Sequence, residues 1–166
     1  KDNYREAVSE DCLYLNVWKP ADAKENLPVL FYIHGGSLMT GQSYYSEIRG
    51  EDLAKKGVIV VSCSYRLGVF GYYASEDLAD ESPNHTTGNY GLLDQIQDLK
   101  WVNENIEAFG GDPSRITIAG ESAGASSVNA LCVSPLSEGL FQYAIAESSG
   151  IVAKHPYHTF RTMADA

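Results

Sequence analysis

The stretch that decides the fold is residues 115–131, which reads RITIAGESAGASSVNAL. Ile116 and Ile118 alternate with small or polar residues, and this period of two predicts a β-strand over residues 115–119. We expect a helix to begin beside Ser122 and to run through Leu131. Between the two elements lies Gly-Glu-Ser-Ala-Gly, a G-x-S-x-G motif in the strand–turn–helix context that it requires. The stretch therefore predicts a serine held at a sharp turn above the edge of a sheet.

The two glycines of this motif, Gly120 and Gly124, have a physical reason. A bulky side chain two positions before or after Ser122 would clash inside so tight a turn. The following helix directs its first N–H groups at the serine, and this end of a helix favours negative charge. The motif without its context is often coincidental, but its position between a strand and a helix favours a catalytic serine.

The rest of the chain alternates between strand and helix patterns. The predicted strands are 13–17, 29–33, 58–61, 115–119 and 143–146, and the predicted helices are 51–56, 92–109 and 122–131. The long segment 66–89 is predicted to be a loop, and Asp112-Pro113 a turn. Such alternation predicts an α/β fold, with a mostly parallel sheet and helices on both faces. Ligands of these sheets bind at the carboxyl ends of the strands.

A second glycine-containing segment, His34-Gly35-Gly36-Ser37, follows the apolar run 29–33. Acyl transfer passes through an oxyanion, and backbone N–H donors aimed at that oxygen lower the barrier. In a sheet of this kind, the loop after such a strand and the residue after the serine, here Ala123, supply those donors. The sequence therefore predicts both halves of an oxyanion hole.

Composition excludes several classes of partner. The chain has 166 residues, enough for one domain, with 22 acidic and 12 basic side chains and a net charge of −10. This charge disfavours binding to nucleic acid or to anionic membranes. No run approaches the ~20 apolar residues of a membrane span, and the polar N-terminus has no signal core, which leaves the compartment undetermined. The cysteine spacing fits no metal site: Cys63 and Cys132 are expected in the core, and Cys12 as free or paired upstream.

Several stretches together resemble the type-B carboxylesterases, the family that includes cholinesterases and many lipases. Two long stretches resemble the family's signatures: EDCLYLNV at 10–17 and FGGDPSRITIAGESAG at 109–124. Shorter matches are SYRLG at 64–68, NYGLLDQ at 89–95, WVNENI at 101–106 and AIAES at 144–148. The resemblance implies an α/β-hydrolase fold and hydrolysis of small carboxylic esters through a serine acyl-enzyme, with no metal or cofactor. It also implies that residues 1–166 are a single partial domain that continues beyond both ends.

The resemblance assigns roles to particular residues. Ser122 corresponds to the nucleophile, and the oxyanion donors fall on the N–H groups of Gly36, Ser37 and Ala123, with Gly35, Gly120, Glu121 and Gly124 in support. Ser37 stands where a third glycine is common; the backbone donor remains, but the side chain narrows the space beside the carbonyl. We therefore expect an effect on substrate choice, such as discrimination against esters of tertiary alcohols. Glu121 either orders a buried network with Ser148 or is a structural carboxylate.

The base and the acid of the catalytic triad are not recognisable in the chain. A serine needs an imidazole base and an orienting carboxylate, in the order Ser, acid, His for this fold. The acids after Ser122 are Glu138, Glu147 and Asp165, and the histidines are His155 and His158; none stands in a stretch resembling the family's motifs. We expect both partners beyond Ala166, His155 and His158 at the surface, a structural role for His34, and a solvated His85.

Other functions remain possible from the sequence. A non-catalytic adhesion or interaction module could share the fold, although the intact motif at 120–124 argues against it, and a serine peptidase is a third reading. Tyr44, Tyr45, Tyr72 and Tyr73 either line a gorge or simply pack. Made alone, residues 1–166 are expected to be inactive and poorly folded, because their sheet would have an open apolar edge.

Overall fold

The structure is a computed structural model that describes residues 9–22, 25–45 and 48–149. The described part contains one five-stranded sheet and five α-helices. The strands are β1 (Leu15–Trp18), β2 (Leu27–Ile33), β3 (Ile59–Cys63), β4 (Gly111–Glu121) and β5 (Tyr143–Glu147). The helices are α1 (Glu51–Ala54), α2 (Gly68–Tyr72), α3 (Glu76–Glu81), α4 (Tyr90–Asn105) and α5 (Ala123–Val133), with 3₁₀ turns at Ile106–Phe109 and Pro135–Ser137.

The sheet is mostly parallel, as predicted. Its strand order is β1-β3-β2-β4-β5, and only the β1–β3 pair is antiparallel. Every residue of β3 is buried, and so are the alternate residues of β2 that face the core. Runs of apolar residues in these central strands fit parallel strands that are covered on both faces. The carboxyl ends of β2, β3, β4 and β5 therefore meet at one edge of the sheet.

Helices cover both faces of the sheet, which confirms the expected layering. On one face, α4 and α5 pack on a buried cluster that includes Phe31, Val61 and Ile118 from the strands and Leu99 and Val128 from the helices. Burial of each such side chain contributes ~1.5–3 kcal/mol. On the other face, the segment leading into α1 lies so close to β3 that a Cβ on Gly50 would be 2.6 Å from the Cβ of Val60.

The segment 66–89 is not the continuous loop that the sequence predicts, since it contains α2 and α3. The signal for α3 is present in the sequence: Ser75 accepts a hydrogen bond from the N–H of Leu78 at 3.3 Å, and Glu76 and Asp77 follow in the first turn. Both features are typical of a helix N-terminus. Helices this short lack enough periodicity to be recognised from their apolar residues.

The start of β4 also differs from expectation. The predicted turn at Asp112-Pro113 lies inside β4, which begins at Gly111 instead of Arg115. The register between β2 and β4 shifts between Leu27 and Val29, so the turn-forming residues occupy an irregular stretch of the strand. Within it, Asp112 accepts hydrogen bonds from the N–H and hydroxyl of Ser114. The first residues of β4 therefore form a local turn within the strand.

Cys63 and Cys132, both expected in the core, differ in their exposure to solvent. Cys63 is buried, as expected, whereas Cys132 is exposed, so the prediction that it lies in the core is wrong. Leu131 occupies the buried side of α5, and one residue further on the helix turns Cys132 away from the sheet. Cys12 is a half-buried free thiol. Strand β5, at the edge of the described sheet, is exposed at every residue.

Candidate active site

Ser122 lies at the turn between β4 and α5, with φ 56° and ψ −120°. A non-glycine residue rarely adopts a positive φ, and such strain persists only where neighbouring groups impose it. Two hydrogen bonds do so here: the Ser122 N–H donates to the Glu147 carbonyl at 2.9 Å, and the Ser122 carbonyl accepts from Ser126 N–H at 3.0 Å. The strained serine is thus fixed to β5 on one side and to α5 on the other.

The glycines on either side of Ser122 are required by packing. A Cβ on Gly124 would lie 2.1 Å from the carbonyl oxygen of Ile33. A Cβ on Gly120 would lie 2.5 Å from the carbonyl carbon of Gly124. Both obstacles are backbone atoms, which cannot move aside as a flexible side chain can. Steric exclusion therefore accounts for both glycines, with the obstacle inside the turn for Gly120 and on the neighbouring strand β2 for Gly124.

The segment 34–37 lies directly against the serine turn. Ile33 and Gly120 are register partners at the ends of β2 and β4, so the loops that follow the two strands emerge side by side. A Cβ on Gly35 would be 3.3 Å from the Cβ of Ser122 and 2.8 Å from the carbonyl oxygen of Glu121. The structure thus brings together the two segments that the sequence proposes as one site.

The loop turns sharply after Gly35. Gly36 has φ 111°, Ser37 φ 57° and Leu38 φ 61°, three consecutive residues on the left-handed side. The N–H groups of Met39 and Thr40 both donate to the Gly36 carbonyl at 3.0 Å. This double hydrogen bond holds a conformation that Ser37 and Leu38 would not adopt by themselves.

Hydrogen bonds also fix the direction of the three predicted donors. In a planar trans peptide the N–H points opposite to the preceding carbonyl. The carbonyls that precede the predicted donors belong to Gly35, Gly36 and Ser122. Each accepts a hydrogen bond: Gly35 from His34, Gly36 from the turn that follows it, and Ser122 from α5. The N–H groups of Gly36, Ser37 and Ala123 therefore have fixed directions. The last of them opens α5, where N–H groups have no acceptor within the helix.

His34 is a buried structural residue, as the sequence suggests. Its Nδ1 lies 2.7 Å from the Gly35 carbonyl oxygen, which can only accept, so Nδ1 carries the hydrogen. Burial lowers the pKa of His34, which favours the neutral ring. Nε2 is buried and has no hydrogen-bond partner among the described residues, so it makes no hydrogen bond with the Ser122 hydroxyl.

None of the acids and histidines of the sequence was predicted to be the acid or the base of a triad. His85 is exposed, as expected, and lies 3.5 Å from Asp80. Glu138 and Glu147 are exposed. His155, His158 and Asp165 lie outside the described residues. Within residues 9–22, 25–45 and 48–149, the candidate site therefore contains the serine and the adjoining glycine loop, without a base.

Glu121 and Glu147 are register partners at the ends of β4 and β5. Burial, followed by the charges of these two carboxylates, raises the pKa of the neighbouring Tyr32. Glu121 and Ser148 are both exposed, so the buried network suggested for them does not form in the described part of the chain. Glu121 instead lies against the loop, where its Oε2 would be 3.2 Å from a Cβ on Gly35.

Sequence reasoning missed Tyr65 and the ion pair beside it. Tyr65 is buried, donates from its hydroxyl to the His34 carbonyl at 2.7 Å, and stacks on the His34 ring with 4.4 Å between centroids. The next residue, Arg66, binds Asp94 of α4 through Nε at 2.8 Å and Nη2 at 2.7 Å. The sequence signal was the stretch SYRLG at 64–68, which follows a buried strand and resembles the family but assigns no role to Tyr65.

The four tyrosines proposed for a gorge have different environments. Tyr44, Tyr45 and Tyr73 are exposed, whereas the Tyr72 hydroxyl is buried against α4 and would be 2.5 Å from a Cβ on Gly91. Packing is therefore the role of Tyr72.

None of the described helices is long and apolar enough to cross a membrane. The described residues contain no group of three or more side chains suited to a metal ion.

A serine turn at the carboxyl edge of a mostly parallel sheet, followed by a helix, defines an α/β-hydrolase. The solved structure of a PNB esterase matches 85% of this chain with a TM-score of 0.79 and 49% sequence identity, and the match covers 30% of that esterase. The model of the carboxylesterase family matches residues 1–165, and the chain belongs to that family.

Two of the curated relatives are named as esterases. The chain is 50% identical over 145 residues to a fumonisin B1 esterase of Sphingopyxis macrogoltabida. The aligned region covers 87% of this chain and 27% of that esterase. The chain is also 50% identical over 146 residues to a cocaine esterase of Homo sapiens, covering 86% and 25% respectively. The chain thus spans about a quarter of the length of these relatives.

Proposed function

We propose that this chain supplies the nucleophile and the oxyanion hole of a serine carboxylesterase that hydrolyses small carboxylic esters. The observation that carries the proposal is the strained Ser122 turn in direct contact with the glycine loop at Gly35. A nucleophile and donors fixed before substrate binds are what acyl transfer requires. The esterases among the relatives support ester hydrolysis over the adhesion and peptidase alternatives.

The reaction has two half-steps. The Ser122 hydroxyl oxygen attacks the ester carbonyl carbon while an imidazole takes its proton, and the negative charge that forms on the carbonyl oxygen is bound by the N–H groups of Gly36, Ser37 and Ala123. The alcohol then leaves with that proton, and water attacks the acyl-enzyme in the same way. Each oxyanion donor contributes about 2.7–4 kcal/mol to the barrier reduction. The imidazole and its carboxylate belong to a part of the polypeptide outside the described residues.

Ser37 bears on the substrates that fit. Its side chain is exposed, and its backbone is held in the left-handed region within the tight turn that follows Gly35. A side chain beside the donor N–H reduces the room for the alcohol part of the ester. We therefore expect esters of primary and secondary alcohols to be better substrates than esters of tertiary alcohols.

The test is Ser122→Ala in the complete polypeptide, with Ser114→Ala as the matched control. Ser114 is exposed and lies near the opposite end of β4 from the turn. We expect kcat/KM for p-nitrophenyl butyrate to fall roughly 10⁴–10⁶-fold in Ser122→Ala and to stay unchanged in the control. A fluorophosphonate probe should label the peptide that contains residue 122. Undiminished hydrolysis by Ser122→Ala, or a label on another peptide, would overturn the proposal.

A further inference from the structure

Tyr65 lies two residues beyond the end of β3, beside the end of β2 from which the glycine loop emerges. Its side chain is 3% exposed, and its ring stacks on His34 at an interplanar angle of 20°. Its hydroxyl donates to the His34 carbonyl at 2.7 Å. Tyr65 therefore holds His34 twice, once by the ring and once by the backbone.

Hydrogen bonds hold three consecutive peptide groups in the glycine loop. The Tyr65 hydroxyl fixes the carbonyl of the 34–35 peptide, and the His34 Nδ1–H fixes that of the 35–36 peptide. The Met39 and Thr40 N–H groups fix the 36–37 peptide. Because each peptide is planar and trans, fixing these carbonyls fixes the N–H groups of Gly36 and Ser37.

We infer that Tyr65 is a positioning residue for the oxyanion hole, acting through His34 on the N–H group of Gly36. The inference rests on the proposed function, since it assigns Tyr65 to that same site. Tyr65 does not contact the reacting atoms. Its part is to hold a loop in which three consecutive residues have positive φ and which would otherwise relax.

Loss of the Tyr65 hydroxyl affects the transition state more than the bound ester. The oxyanion exists only after Ser122 has attacked, so misaligned donors weaken a contact made in the transition state alone. Such a change lowers kcat and leaves KM nearly constant. A displacement of about 1 Å at a reacting group costs up to about 10²-fold, so we expect a loss of about 10- to 100-fold for Tyr65→Phe.

The experiment compares Tyr65→Phe with Tyr72→Phe in the complete polypeptide. Tyr72 is a matched control because its hydroxyl is also buried but has no hydrogen-bond partner among the described residues. For each variant, kcat and KM for p-nitrophenyl butyrate are measured together with the Ki of a trifluoromethyl ketone, which forms a hemiketal oxyanion with the serine. We expect Tyr65→Phe to lower kcat and to raise the Ki by the same factor, with KM unchanged and Tyr72→Phe equal to the unsubstituted protein.

A second pair of variants keeps the inference testable if Tyr65→Phe does not fold. His34→Asn retains an N–H donor near the position of Nδ1, whereas His34→Gln places one near Nε2. The asparagine variant should keep more of kcat than the glutamine variant. Equal losses in this pair, or an unchanged kcat and Ki in a folded Tyr65→Phe, would overturn the inference. If Ser122→Ala is inactive in the same assay, the proposed function survives that outcome.

Discussion

The substitution Gly124→Ala separates the two physical effects that act on the serine turn. Gly124 lies in the first turn of α5, where helix propensity alone predicts that alanine raises the free energy of unfolding by about 1 kcal/mol. The fold predicts the opposite. The new Cβ would be 2.1 Å from the Ile33 carbonyl oxygen and 2.9 Å from its carbon, whereas ordinary contacts begin near 3.4 Å.

The clash should be the larger of the two effects. Overpacking of a close-packed site costs about 1–3 kcal/mol, and a central strand of the sheet gives the upper part of that range. The net expectation is a loss of about 2 kcal/mol in the free energy of unfolding. Separation of α5 from β2 also moves Ser122 and the Ala123 N–H, so kcat/KM should fall by about 10²-fold.

The assay is urea denaturation of the complete polypeptide together with hydrolysis of p-nitrophenyl butyrate. Gly57→Ala is the control, because Gly57 has φ 87° and no atom within 4 Å of an added Cβ. That control should lose about 1 kcal/mol from its backbone conformation alone and keep its activity. A Gly124→Ala protein that is as stable and as active as the unsubstituted one would refute the steric argument.

Two further predictions concern a buried carboxyl group and the isolated chain. Burial, followed by the charge of Asp94, raises the pKa of Asp98 from 3.8 to about 7. The folded state therefore holds a proton that the unfolded state releases, so stability falls as the pH rises from about 4 to 7. Asp98→Asn should be more stable than the unsubstituted protein by about 4 kcal/mol at pH 8 and equal to it at pH 4. Urea denaturation at both pH values measures this difference, and a stability difference that does not change with pH would contradict the prediction. Residues 1–166 made alone should hydrolyse p-nitrophenyl butyrate no faster than the buffer does, since neither described histidine forms a hydrogen bond with Ser122. Robust turnover by the purified chain would disprove this prediction.

Local patterns in the sequence were sufficient to predict the α/β architecture and the position of the serine turn. Apolar runs, the long amphipathic pattern of α4 and the strand–turn–helix around residues 120–124 are local patterns, and the fold preserves them within a few residues. The helices α2 and α3 were not predicted, because a helix of five or six residues shows too few apolar repeats to be recognised. The start of β4 was predicted wrongly, because pairing with β2 extends the strand through Asp112-Pro113, where the residue types favour a turn.

The contacts that hold the glycine loop, and the groups that lie together in the site, depend on tertiary packing. The 2.7 Å contact of Tyr65 with the His34 carbonyl joins residues 31 positions apart, and no local pattern encodes it. The same is true of Gly35 against Ser122, which depends on the register of β2 with β4. Secondary structure follows from the periodicity of neighbouring residues, whereas the geometry of a site depends on how separate elements pack, and that packing is fixed only when the whole sheet has formed.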